Sequence, residues 1–124
     1  MRVDTRPRKK NSQRADEVRR VPPYLKWLRG RKCAANRSTV PCEGFMEAAH
    51  VDHAGGKGVG LKVADEHALP LCAGHHARQH RRGWLTFERE CLGGKSAVAM
   101  AAAYWNEWLF NTPMGKAWRD KQDA

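Results

Sequence analysis

Cysteine and histidine recur in this chain at spacings that suit metal chemistry. Cys72-Ala73-Gly74-His75 is a C-x2-H element, which lets a thiolate and an imidazole turn toward one ion. Cys33 and Cys42, with eight residues between them, supply two further thiols. A closed tetrahedral zinc needs four such ligands and leaves no position open. Cys33, Cys42, Cys72 and His75 are therefore expected to hold a structural Zn2+. The Cys33–Cys42 spacing is wider than the usual two to four or so residues, which makes the signal weaker than a pair of CxxC elements. The competing reading is that the cysteines pack as small apolar groups. Cys91, alone between Glu90 and Leu92, is read that way, as a buried thiol.

A second demand is chemical. His76 and His80 are four apart, so on a helix they share one face and can chelate a catalytic divalent ion together. His75 points about a quarter turn away, so one helix start can serve two metals. Alone, the pair reads equally as two solvated imidazoles on a basic helix. It is not alone, because all 6 histidines fall between His50 and His80.

The elements that must position these groups follow from local signals. Val21-Pro22-Pro23 opens structure, with a short helix through Leu28 ended near Gly30. Residues 31–44 read as a loop. Phe45 to Val51 reads as a strand with His50 near its end, Gly55 to Gly60 as a loop, and Ala68 to Leu71 as a second strand. Pro70 restricts that strand to an edge or a strand end. Ala73 to about Arg82 reads as helical, stopped by Gly83. Thr86 can cap a helix through Cys91, stopped by Gly93-Gly94. Ser96 can cap another, with Ala97, Met100, Ala101, Tyr104, Trp105, Trp108 and Leu109 on one face. That stripe is expected to pack as core; base stacking is the alternative. The fold class is α+β: a small strand–loop–strand–helix core with flanking helices, over residues 21–111. Residues 1–20 read as a flexible basic arm and 112–124 as a polar tail.

Composition narrows the partners. The 124 residues suit one compact domain with a modest core, 41% of residues being hydrophobic. Lys and Arg number 23 against 13 Asp and Glu, a formal charge of +10, which attracts polyanions and nucleic acid first among them. The plainer reading of that charge is solubility. No apolar run approaches the roughly 20 residues that span a bilayer. The basic start, Met1 to Arg6, lacks the apolar stretch of a signal peptide, so the expected location is the cytoplasm. In that reducing compartment cysteines bind metal or pack more often than they pair.

The run Glu47-Ala48-Ala49-His50-Val51, then Gly55-Gly56 and Gly58, then Leu69-Pro70-Leu71-Cys72-Ala73-Gly74-His75-His76-Ala77-Arg78-Gln79-His80, resembles the HNH (ββα-metal) endonuclease superfamily. It is most similar to the phage branch of Ref-like recombination nucleases, over about residues 31–88. The resemblance implies a metal-dependent DNA endonuclease of low sequence specificity, associated with phages or mobile elements. His50 holds the position of the general base, and His76, with His80, that of the catalytic ion's ligands. His67 or Asp65 holds the position that orients the base. Where many members have a further ligand immediately before the base, this chain has Ala49; Asp52 or His53 can substitute, and His53 can itself be the base. Lys57, Lys62, Arg78, Arg81 and Arg82 are expected to contact DNA phosphates, which position a strand without reading its sequence. Two other readings compete. One is a zinc-binding nucleic-acid module without catalysis. The other is a packaging protein that works with a partner such as a terminase subunit; a recombinase is the alternative partner.

Overall fold

The computed structural model describes residues 19–54 and 63–123. Lys57, Lys62, the glycine loop and residues 1–18 of the expected arm lie outside the described residues. Helix α1 (Pro22–Arg29) starts on proline, whose fixed φ suits a first turn, and closes at Gly30. Tyr24 and Leu28, four apart, bury the same face. Arg19 and Arg20 do not behave as part of a free arm. The Arg19 carbonyl accepts the Asp65 N–H, and the Arg19 guanidinium meets Glu66 at 2.6 Å.

Strand β1 (Met46–His50) pairs antiparallel with β2 (Ala68–Cys72), Met46 opposite Cys72 and His50 opposite Ala68. Phe45, expected inside the strand, lies just outside it and is 91% exposed. Pro70 is tolerated because a two-stranded sheet has only edges, and its carbonyl turns outward to accept the Ala34 N–H at 2.8 Å. The turn Asp65–His67 leads into β2, and the His67 carbonyl accepts the Val51 N–H, extending the pairing past the end of β1.

Helix α2 (Ala73–Arg82) follows β2 without a loop, with Cys72 as its N-cap. Helix α3 (Trp84–Cys91) begins two residues before Thr86, the expected cap. The reason is Gly83: at φ +81° it reverses the chain after α2, and its carbonyl accepts the Phe87 N–H, so the first turn forms at once. Ser96 caps α4 (Ala97–Asn111), accepting the Ala99 N–H. Beyond it, residues expected as a polar tail form α5 (Pro113–Asp123).

Both faces of the sheet are covered, which is why all five residues of β2 are buried. Ala49, Leu69 and Leu71 pack with Trp84, Phe87, Ala97 and Ala101. On the other face, Ala68 packs with Val21, Tyr24, Leu28 and Trp108. Trp105 and Trp108 of the α4 stripe therefore pack as core: Trp108 is buried, and Tyr24 meets Trp105 edge to face at 5.0 Å, while Tyr104 is only half-buried. None of the described helices is long and apolar enough to cross a membrane.

Candidate metal centre and candidate active site

The four residues expected to hold zinc converge. One ligand atom from each of Cys33, Cys42, Cys72 and His75 lies within 4.8 Å of the others. A tetrahedral zinc, with Zn–S near 2.3 Å and Zn–N near 2.0–2.1 Å, separates each sulfur from the nitrogen by about 3.6 Å. The three Sγ atoms lie 3.5, 3.6 and 3.1 Å from His75 Nδ1. Connectivity explains the convergence. Cys72 ends β2 and caps α2, so His75 falls one turn on, while the loop after α1 folds back to bring Cys33 and Cys42 alongside.

Electrostatics favours an ion at this centre. Burial pushes the Cys33 thiol up to about 12, despite backbone donors from Cys72 and Ala35. Burial also opposes ionisation of Cys72, but the N–H groups of His75 and Glu43 outweigh it and bring that thiol below its ordinary value. Both N–H groups donate to Cys72 Sγ at 3.4 Å, and the Cys72 N–H donates to Cys33 Sγ at 3.3 Å. Cys33 and Cys72 thus already accept backbone N–H groups, and a cation at this point would offset the cost of ionising the sulfurs together. His75 is fully buried. With Nδ1 facing the sulfurs, its Nε2–H donates to Ser38 Oγ at 3.1 Å, while the Ser38 hydroxyl donates to the Val40 carbonyl. That bond fixes the tautomer a metal requires. The centre can hold a metal ion such as zinc. Ser38 was not foreseen, because its partner is 37 positions away and no spacing rule links them. Cys91 is a buried free thiol.

At the end of β1, His50 Nε2 lies 2.9 Å from Asp65 Oδ1. Asp65 is 2% exposed and also accepts from the Val21 N–H at 2.7 Å and from Arg20 at 3.2 Å. Burial raises its carboxyl pKa, but the His50, Val21 and Arg20 donors outweigh burial and hold it below the usual carboxylate range. Of the two residues expected to orient His50, Asp65 therefore makes the contact. The His67 imidazole lies 3.7 Å from Glu66 instead, and His67 supports the end of β1 through its main chain.

On α2, the His76 and His80 rings lie 4.8 Å apart, as the four-residue spacing requires. His76 Nδ1 is 2.6 Å from a carboxylate oxygen of Glu47 on β1, which leaves Nε2 as the ring nitrogen not engaged by Glu47. Glu47 was not foreseen either; only the register of α2 over β1 brings it to His76. His80 lines a cleft of about 500 Å³ with Asp52, His53, Gln79, Trp84 and Glu88.

Some expected neighbours are not brought together. Among the described residues, the Cys3His set is the one group of three or more donors gathered within ligand reach, so His76, His80 and Asp52 form no second preassembled cluster. Asp52 was expected to share a strand face with His50, but β1 ends at His50 and Asp52 sits in the following turn, three-quarters exposed. Its nearest ionic partner is His53, at 3.6 Å. Nor does any hydrogen bond or ion pair among the described residues join His50 to His76 or His80. Glu47 and His50 are three apart on β1, so alternation directs them to opposite faces of the sheet.

Two of the arginines expected on DNA are already engaged. Arg78 meets Glu90 at 3.1 Å, and Arg82 meets the same carboxylate at 2.6 Å. Arg81 is exposed and has no ion pair among the described residues. No family model matches the chain, and no curated protein or solved structure matches it.

Proposed function

We propose that the chain is a metal-dependent DNA nuclease of the HNH (ββα-metal) kind, cutting phosphodiester bonds with little sequence preference. The supporting observation is the His50–Asp65 pair: an imidazole one-third exposed at a strand end, oriented by a buried carboxylate.

With Nε2–H donating to Asp65, His50 presents Nδ1 as the proton acceptor for an attacking water. Asp65 stays ionised and holds that tautomer. His76, oriented through Nδ1 by Glu47, and His80, which lines the cleft, would hold the catalytic ion. A divalent cation bound there supplies positive charge to the phosphoryl oxygens and to the departing 3′ oxygen. The Cys3His centre anchors the start of the same helix, fixing where His76 and His80 stand. This role for His50 requires the end of β1 to bring its Nδ1 and the ion to one phosphate, whereas His53 already lines the cleft with His80.

A second reading has one observation in its favour: His53, not His50, shares the cleft with His80. Nicking of supercoiled plasmid by zinc-loaded protein with magnesium or manganese separates the two. His50→Ala is expected to slow nicking by about 10²- to 10⁴-fold, the usual contribution of a general base. Loss with His53→Ala and none with His50→Ala assigns the base to His53. Wild-type protein that binds DNA but nicks under neither metal, with or without a recombinase or terminase subunit, is a zinc-binding nucleic-acid module.

A further inference from the structure

A second cleft of about 500 Å³ lies away from the histidines, between the loop after α1 and the α3–α4 corner. Four cations line it: Lys32 and Arg37 from the loop, Arg89 from α3 and Lys95 from the connection to α4. None of the four makes an ion pair among the described residues. The one acid on its wall, Glu90, is already neutralised by Arg78 and Arg82. The lining also includes apolar surface, with Leu92, Met100 and the half-buried Tyr104. Ser38, which holds His75, stands on the same wall, so the cleft is built onto the metal centre.

Cations alone would describe a phosphate patch. Apolar side chains and an aromatic ring in the same cleft ask for a ligand that is anionic along one part and flat and apolar along another. We infer that this cleft binds a single nucleic-acid strand, its phosphates on Lys32, Arg37, Arg89 and Lys95 and an unstacked base against Tyr104. The inference deepens the nuclease reading and rests on it for the identity of the ligand. It moves the main backbone contact from Arg78 and Arg82 of α2, which are engaged by Glu90, to the four unpaired cations of this cleft.

The test is fluorescence anisotropy of the zinc-loaded full chain with a labelled single-stranded 12-mer and with the duplex of the same sequence. The triple variant Arg37→Gln/Arg89→Gln/Lys95→Gln is expected to weaken single-strand binding at least tenfold. Its plot of log affinity against log salt should be shallower by about 2, as three lost phosphate contacts require. Tyr104→Leu keeps apolar packing but removes the ring; it should weaken the single strand by about tenfold and leave the duplex unchanged. Zinc content and melting temperature confirm that both variants fold. A folded triple variant with wild-type affinity and slope overturns the inference, as does tighter binding of duplex than of single strand. A triple variant that does not fold is replaced by the three single substitutions, each expected to cost about 0.7 of the slope. Cluster-dependent binding without cleavage removes the nuclease reading alone, whereas cleavage with cluster-independent binding removes the cleft assignment alone.

Discussion

Asp65 answers to three donors at once, and its role in tying the chain together is separable from its role toward His50. Asp65→Asn keeps the size of the side chain but removes the charge that holds Nε2–H of His50 and attracts Arg20. Nicking is expected to slow by at least about tenfold, since the imidazole loses its fixed tautomer. Acid stability tests the same bond from another side. A carboxyl whose folded pKa is depressed contributes stability above its ordinary range, and that stability is lost as pH falls through the folded value. Circular dichroism across the acid range should therefore show wild type losing stability below about pH 4, while the Asp65→Asn variant lacks this contribution and has a flatter dependence. Ser38 is the comparable residue at the metal centre. Ser38→Ala leaves His75 Nε2–H without its acceptor, and zinc affinity is expected to fall about 10- to 100-fold in competition with a chromophoric chelator. Unchanged affinity would mean that the three sulfurs alone orient His75.

At the scale of elements, α1, α2 and α4 were legible in the sequence because their punctuation is local: Pro22-Pro23 and Gly30, Gly83, and the Ser96 cap. The zinc ligands were legible because C-x2-H fixes two of them within one turn. What was not legible depends on docking between elements distant in sequence. Glu47 reaches His76 across 29 positions, and Arg78 and Arg82 meet Glu90 only because α3 folds back against α2. Helix α5 was hidden by its polar composition, although Thr112-Pro113 is a cap followed by proline at the first helical position. Thr112 Oγ1 accepts the Gly115 N–H at 3.0 Å and donates to the Trp108 carbonyl at 2.6 Å. Thr112→Ala should cost about 1 kcal/mol in thermal or urea unfolding. Gly115→Ala should cost more, about 1–3 kcal/mol, because a Cβ there is driven into the Trp108 carbonyl and the Leu109 backbone. An unchanged melting temperature for both would show that α5 is not docked on α4.

For the whole molecule, a two-stranded sheet of five-residue strands is too small to be stable alone. It is held from two directions, by the Trp108–Tyr24 cluster on one face and by the Leu69–Phe87 cluster with the Cys3His centre on the other. That arrangement gives α2 two parts: its start carries His75 of a centre that can hold an ion, and its next turn carries His76 and His80, of which His80 lines the open cleft. Among the described residues, Arg81 on α2 and four cations around the second cleft make no ion pair, a charge distribution that the proposed nucleic-acid substrate would use. The hydrolytic role of the helix is tested most directly by the single-turnover rate of manganese-dependent plasmid nicking in wild type and His80→Ala, both carrying one zinc per chain. A loss of about 10²-fold or more in the variant, at unchanged zinc content and melting temperature, is expected if His80 holds the cleaving ion. Equal rates in the two proteins, or no nicking by the zinc-loaded wild type, would contradict it.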